Sequence, residues 1–161
     1  MIKIKTKEEV YRDYVTILYS DLVDAINQYC KTGYSINDTK YVNTYLFAFL
    51  GAVVSYYDTL IKPTINSTKC GESEIIKACK FANNTVKHCV SLISHIQTTG
   101  GVALPIHLPM IIKPIDIIWK KPNFKSKHQD QKEAYVKLFE GKSILKTLGS
   151  ILNELKIDIE K

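Results

Sequence analysis

Glu72-Ser73-Glu74-Ile75-Ile76-Lys77-Ala78-Cys79-Lys80-Phe81-Ala82-Asn83-Asn84-Thr85-Val86-Lys87-His88-Cys89-Val90-Ser91-Leu92-Ile93-Ser94-His95-Ile96-Gln97 is the stretch whose period decides the fold. Within it, Ile75, Cys79, Ala82, Val86, Cys89, Ile93 and Ile96 alternate four and three residues apart. That is the spacing of one helix face, so it predicts a helix over 72–97 with this stripe buried. Glu72 and Glu74 suit the positive end of its dipole. Thr98-Thr99-Gly100-Gly101 ends it.

Two helices are expected before it. Thr6-Lys7-Glu8-Glu9 has the Thr-x-x-Glu form of a capping box. Behind it Tyr11, Tyr14, Leu18, Leu22, Ala25 and Tyr29 recur at helical spacing, and Gly33 ends the element. The second helix starts at Asn37 or Asp38, either of which suits a cap. It carries Val42, Leu46, Phe49, Val53, Tyr56 and Leu60, with Tyr45, Ala48 and Ala52 as a second apolar stripe. A helix apolar on most sides is central, or faces both a core and a partner subunit. Pro63 is expected to stop it. Tyr41 to Tyr57 holds no charged residue, but it is short for a membrane span and contains Asn43, Thr44 and Ser55, so it reads as a buried helix.

Residues 102–122 differ in kind. Pro105, Pro109, Pro114 and Pro122 exclude a regular helix, while Ile106, Leu108 and Met110, then Ile115, Ile117 and Trp119, alternate. This predicts an extended arm or short edge hairpin, anchored to the rest by Trp119. Ser126-Lys127-His128-Gln129 has the form of a Ser-x-x-Gln capping box for a last helix. Its stripe is Ala134, Leu138, Gly141, Leu145, Leu148, Leu152 and Leu155, with Gly141 at a close helix crossing. The reading is a mainly α protein: one domain over 1–161, an antiparallel four-helix bundle with a short extended or β-hairpin arm between helices 3 and 4.

Composition narrows function. The 161 residues carry a formal charge of +6, yet Arg12 is the sole arginine. Bidentate recognition of phosphate or guanine favours arginine, so a lysine-rich chain attracts polyanions more diffusely. Cys30, Cys70, Cys79 and Cys89 form no Cys-x-x-Cys pair, which argues against a zinc site and for reduced thiols in the cytoplasm. No signal-peptide pattern opens the chain, so Asn37, Asn66 and Asn83 read as chance matches to the glycosylation motif. No glycine-rich phosphate loop, Gly-x-Ser-x-Gly elbow or His-Glu-x-x-His is present. No metal or cofactor is expected.

The polar face of the third helix carries the chemistry. At about 100° per residue, Asn84 and His88 each fall roughly 200° from Val86. Lys80, Asn84, Lys87, His88, Ser91 and His95 are thus expected opposite the core. Histidine exchanges protons near neutral pH, and lysine steadies a phosphate. A continuous helix would separate His88 and His95 by roughly 10 Å, too far to share a metal. His107 and His128, in or beside the arm, would join this face if the arm folded back.

Asn83-Asn84-Thr85-Val86-Lys87-His88 resembles the Arg-Asn-x-x-x-His signature of the HEPN superfamily. The resemblance implies a small helical bundle, often dimeric, of a kind that includes many metal-independent endoribonucleases in toxin–antitoxin, CRISPR and phage-defence systems. It implies His88 as general acid or base, Asn84 orienting it, and Lys87 beside the phosphate. Lys80, Asn83, Ser91, His95, Lys120 and Lys121 would contact RNA. Asn83 stands where the family has its arginine, a position that Lys80 or Lys87 would have to cover. The alternative is a non-catalytic protein-interaction module using the bundle face and the Pro-rich arm.

Overall fold

The first capping box forms as its residues dictate. The Glu9 N–H donates to Thr6 Oγ1 at 3.2 Å, and the Thr6 N–H donates to Glu9 Oε2 at 2.6 Å. Helix α1 then runs Lys7–Thr32. The structure is a computed structural model that describes residues 5–32, 36–65, 71–88, 91–96, 116–123 and 126–158. Gly33 and most of the arm, including His107, lie outside the described residues, as do the side chains of Asn37 and Asp38. The buried stripe of α1 is Val15, Leu22, Ile26 and Tyr29. Tyr14, expected inside, is 51% exposed, because the stripe drifts towards Val15 and Ile26.

Helix α2, Ile36–Tyr56, packs on α1 and buries Val42, Leu46, Phe49, Leu50, Val53 and Tyr56. Thr39–Thr64 is long and apolar enough to cross a membrane by length and composition. In this fold Val42, Leu46, Phe49, Leu50, Ala52 and Val53 of this stretch are buried in the core, while Tyr41 and Phe47 are exposed. Pro63 does not stop it. The chain passes through a π turn, Tyr57–Ile61, into one more α turn, Lys62–Ile65. Proline offers no N–H and crowds the carbonyl four residues back. The wider turn accommodates this, and the Lys62 N–H reaches back to the Tyr57 carbonyl.

Helix α3 is Glu74–Lys87, capped by Ser73, whose side chain accepts from the Ile76 N–H at 3.4 Å. It ends ten residues before the expected Gln97. Ile93–Ile96 instead form strand β1, paired antiparallel with β2, Asp116–Trp119, in the register Ile93 with Trp119 and Ile96 with Asp116. A short apolar run rich in isoleucine fits either period, and the partner strand decided it. The alternation of Ile117 and Trp119 does hold, since both are buried and their neighbours are less so. Strand β2, at the end of the expected arm or hairpin, pairs with the end of the third helix's sequence, and residues 102–115 of the arm lie outside the described residues.

The last helix is two. Helix α4 is Gln129–Leu138 and α5 is Ile144–Glu154. Gly141 does not mark a helix crossing. It adopts φ +70°, a left-handed turn that breaks the helix. Ser143 then caps α5. The turn binds the free edge of β2: Gly141 N–H donates to the Trp119 carbonyl at 2.9 Å, and Trp119 N–H to the Lys142 carbonyl at 3.0 Å. The Ser126 box does not cap α4. Ser126 Oγ bonds the backbone of His128 instead, and α4 begins with no side-chain cap. Among the described residues, five helices and a two-stranded antiparallel sheet therefore stand where four helices and an arm were expected.

Trp119 anchors β2 as predicted. It is wholly buried, stacks on Phe139 at 4.8 Å, meets Tyr135 edge-on at 6.0 Å, and donates from Nε1 to Thr147 Oγ1 at 2.7 Å. Trp119→Ala should cost about 3–5 kcal/mol in urea unfolding, the usual range for a buried aromatic. Thr147→Val, which strands the indole N–H, should cost about 1–3 kcal/mol. At the other end of α5, Lys156 N–H bonds the Asn153 carbonyl and Ile157 N–H the Leu152 carbonyl, a Schellman ending. Its left-handed position is held by Lys156 at φ 55°. Lys156→Gly should raise stability by about 1 kcal/mol, the strain of an L-residue there, in the same measurement.

Candidate functional site

The end of α3 and the start of α4 enclose a cleft of about 430 Å³. From α3 it is lined by Phe81, Asn84, Thr85 and His88. From the segment leading into α4 it takes Ser126, Lys127, His128 and Gln131. The two helices are joined below the cleft by Phe81 against Tyr135, with ring centroids 5.0 Å apart. Counting outward from that contact, Thr85 and Gln131 are each four residues away, and His88 and His128 each seven, in opposite chain directions. Tyr135 is fixed in turn by its hydroxyl, which donates to the Lys120 carbonyl at 2.7 Å. Burial pushes its phenol well above the ordinary range, Glu140 adding to the effect, so it stays protonated as a structural donor.

His88 is the C-cap of α3 and exposed; its N–H bonds the Thr85 carbonyl at 3.2 Å. Asn84, one turn earlier, is exposed beside it. His128 and Lys127 are exposed on the opposite wall. The cleft thus holds two imidazoles, an ammonium, two hydroxyls and two amides. The nearest carboxylates on α4 are engaged elsewhere: Asp130 lies 4.0 Å from Lys77, and Glu133 accepts from Gln129 Nε2 at 3.2 Å. Among the described residues, no three His, Cys, Asp or Glu side chains converge as metal ligands do.

The fold disperses the rest of the sequence-predicted set. Asn83, expected to contact RNA, is 3% exposed and its Oδ1 has no partner. It lies against α2, where a Cβ on Gly51 would stand 3.9 Å from that oxygen. It sits about 100° round the helix from Asn84, which turns it into the core. Lys80 is drawn off by acids: it donates to Asp58 Oδ1 at 2.8 Å and to Glu72, and lies 5.1 Å over the Tyr57 ring. Burial opposes its charge, but the hydrogen bonds to Asp58 and Glu72 outweigh that and hold its pKa above the usual lysine value. Lys87 is exposed, about a quarter turn from His88, and does not line the cleft.

Ser91 is outside the cleft too. Its hydroxyl donates to Asn43 Oδ1 on α2 at 3.0 Å. His95 is on β1, its backbone paired with Ile117, rather than two helical turns beyond His88. Lys120 and Lys121 are exposed between β2 and α4 and also fall outside the cleft. Of the residues expected here, His88 and Asn84 remain. His128 joins them, as it would if the segment after the arm folded back. Lys127 and Gln131 carried no sequence signal beyond the basic run and the helix start.

Because Asn83 is inside, an arginine at this position would not form a phosphate site. Asn83→Arg should destabilise the protein by roughly 3–5 kcal/mol, the cost of an uncompensated buried charge, and confer no gain of activity, as read by thermal melting and an RNA assay in parallel. No protein-family model, curated protein or solved structure matches the chain.

Proposed function

We propose that this protein binds RNA and cleaves it without a metal ion, in the manner of a HEPN-like endoribonuclease, with His88 and His128 as the proton-transfer pair. The observation that supports this is the meeting of two histidines from separate elements in one cleft with Asn84 and Lys127. One neutral imidazole removes the proton from a ribose 2′-hydroxyl. The 2′-oxygen attacks the adjacent phosphorus, and the bond to the 5′-oxygen breaks. The other, protonated imidazole gives its proton to that leaving oxygen, which leaves a 2′,3′-cyclic phosphate and a 5′-hydroxyl. Lys127 replaces Lys87 as the cation beside the phosphate, and Asn84 orients the imidazole one turn away. The resemblance adds a homodimer and a role in phage defence or a toxin–antitoxin pair, and the cysteine spacing supports a cytoplasmic setting.

A second reading is a non-catalytic protein-interaction module. It is favoured by Val10, Tyr14 and Ile17, which are 52%, 51% and 59% exposed and spaced four and three along α1.

Purified protein incubated with RNA in EDTA should release cyclic-phosphate ends with a bell-shaped pH–rate profile, since one imidazole must be neutral and the other charged. His88→Ala and His128→Ala should each lower the rate by about 10²–10⁴-fold. Cleavage untouched by either substitution sinks the mechanism. Absence of both cleavage and RNA binding, with a partner lost on Tyr14→Glu, gives the second reading the field.

A further inference from the structure

Lys7, Val10, Tyr14, Ile17, Asp21 and Asp24 recur three and four residues apart along α1, so they share one face of it. Val10, Tyr14 and Ile17, in the middle, are each more than half exposed. Lys7 and Asp24 are exposed, and Asp21 is partly buried. The stripe is therefore basic at its start, apolar at its centre and acidic at its end. Other charges on the first half of α1 are already engaged. Arg12 pairs with Glu8 at 2.9 Å, Lys5 pairs with Asp13, and Glu9 closes the capping box. Lys7, Asp21 and Asp24 join no ion pair among the described residues.

A helix face whose charge reverses from one end to the other is complementary to a copy of itself turned end for end. Two α1 helices set antiparallel, with a twofold axis between Tyr14 and Ile17, put Tyr14 of each against Ile17 of the other. The same register sets Val10 against Asp21 and Lys7 against Asp24. A parallel pairing would instead stack Lys7 on Lys7, Asp21 on Asp21 and Asp24 on Asp24, which like-charge repulsion disfavours.

The acidic end is also shaped to take a lysine. Asp21 and Asp24 line a groove of about 340 Å³ with Tyr41 and Tyr45 of α2. Tyr41 is 59% exposed, so the face continues from α1 onto α2. Two carboxylates and two phenol rings offer an ammonium both ion pairing and cation–π contact. In the antiparallel register, the side chain that arrives at this groove is Lys7 of the other copy.

We infer that this protein forms a twofold-symmetric dimer through antiparallel α1 helices, with Lys7 of each copy seated at the Asp21, Asp24 and Tyr41 groove of the other. This gives the homodimer proposed above its surface and register. It rests on that homodimer and not on the chemistry of the cleft, which none of these residues lines.

Sedimentation velocity on the full chain over a concentration series tests it. The chain should pass from monomer to dimer as concentration rises, because one helix pair is smaller than a standard interface. Tyr14→Glu should abolish the dimer. Lys7→Glu and Asp24→Lys should each weaken it about tenfold, since the twofold axis applies each reversal twice. An equimolar mixture of those two variants should regain the unsubstituted affinity, because in the mixed dimer every charge again meets its opposite. Both positions are exposed, so each variant should melt like the parent at a dilution where all are monomeric. A mixture no tighter than its components overturns the antiparallel register. A dimer indifferent to all three substitutions overturns the α1 surface and leaves the homodimer standing. A chain that stays monomeric overturns both, whether or not it cleaves RNA.

Discussion

The burial of Trp119 is the constraint on which the rest of the molecule depends. Its indole fills the space between α4 and α5 and carries one polar atom, the Nε1–H, that must find an acceptor once water is excluded. Thr147 supplies it at 2.7 Å. That single bond sets where α5 sits relative to β2. The backbone on either side of the indole is then bonded to the Gly141–Lys142 turn, so β2, the turn and both late helices are held as one unit. Phe139 and Tyr135 complete it with ring contacts in preferred offset and edge-on geometries.

The cleft is a consequence of this unit. Tyr135 belongs to the Trp119 cluster on one side and touches Phe81 of α3 on the other. Its hydroxyl closes on the Lys120 carbonyl, so it cannot rotate away without stranding a buried donor. With that residue immobile, the spacing along each helix brings Thr85 and Gln131, then His88 and His128, to one opening. The second histidine of the site is placed by an aromatic contact two turns away rather than by anything adjacent to it in sequence.

Solvation and charge decide which polar residues remain for chemistry. Lys80 lies between two carboxylates at the π turn and stays with them, because a partly buried ammonium is stabilised by its bonds to Asp58 and Glu72. Asn83 is enclosed, and an amide inside a helix seam serves packing whatever its chemical capacity. Lys127 and His128 stay available because they precede a helix whose first turn nothing caps. Lys77 and Lys80 are held in ion pairs elsewhere, and Lys127 is the lysine that lines the cleft.

Much of the helical content was legible in the residues alone. The Thr6–Glu9 box, the apolar stripe of α2, the first half of the third helix and the alternation at Ile117 and Trp119 all follow from local periodicity and capping chemistry. His88 and Asn84 were also readable as an exposed pair one turn apart. What the sequence could not determine was anything set by a partner distant in the chain. Ile93–Ile96 fits a helix stripe as well as a strand, and only the edge of β2 made it a strand. Leu138 to Leu155 keeps a continuous helical spacing, and only the bonds from Trp119 to the Gly141 turn show why it breaks there. The histidine pair has the same origin: spacing within a helix places His88 at its surface, but the distance between two helices is a tertiary quantity, fixed by how Phe81, Tyr135 and Trp119 pack.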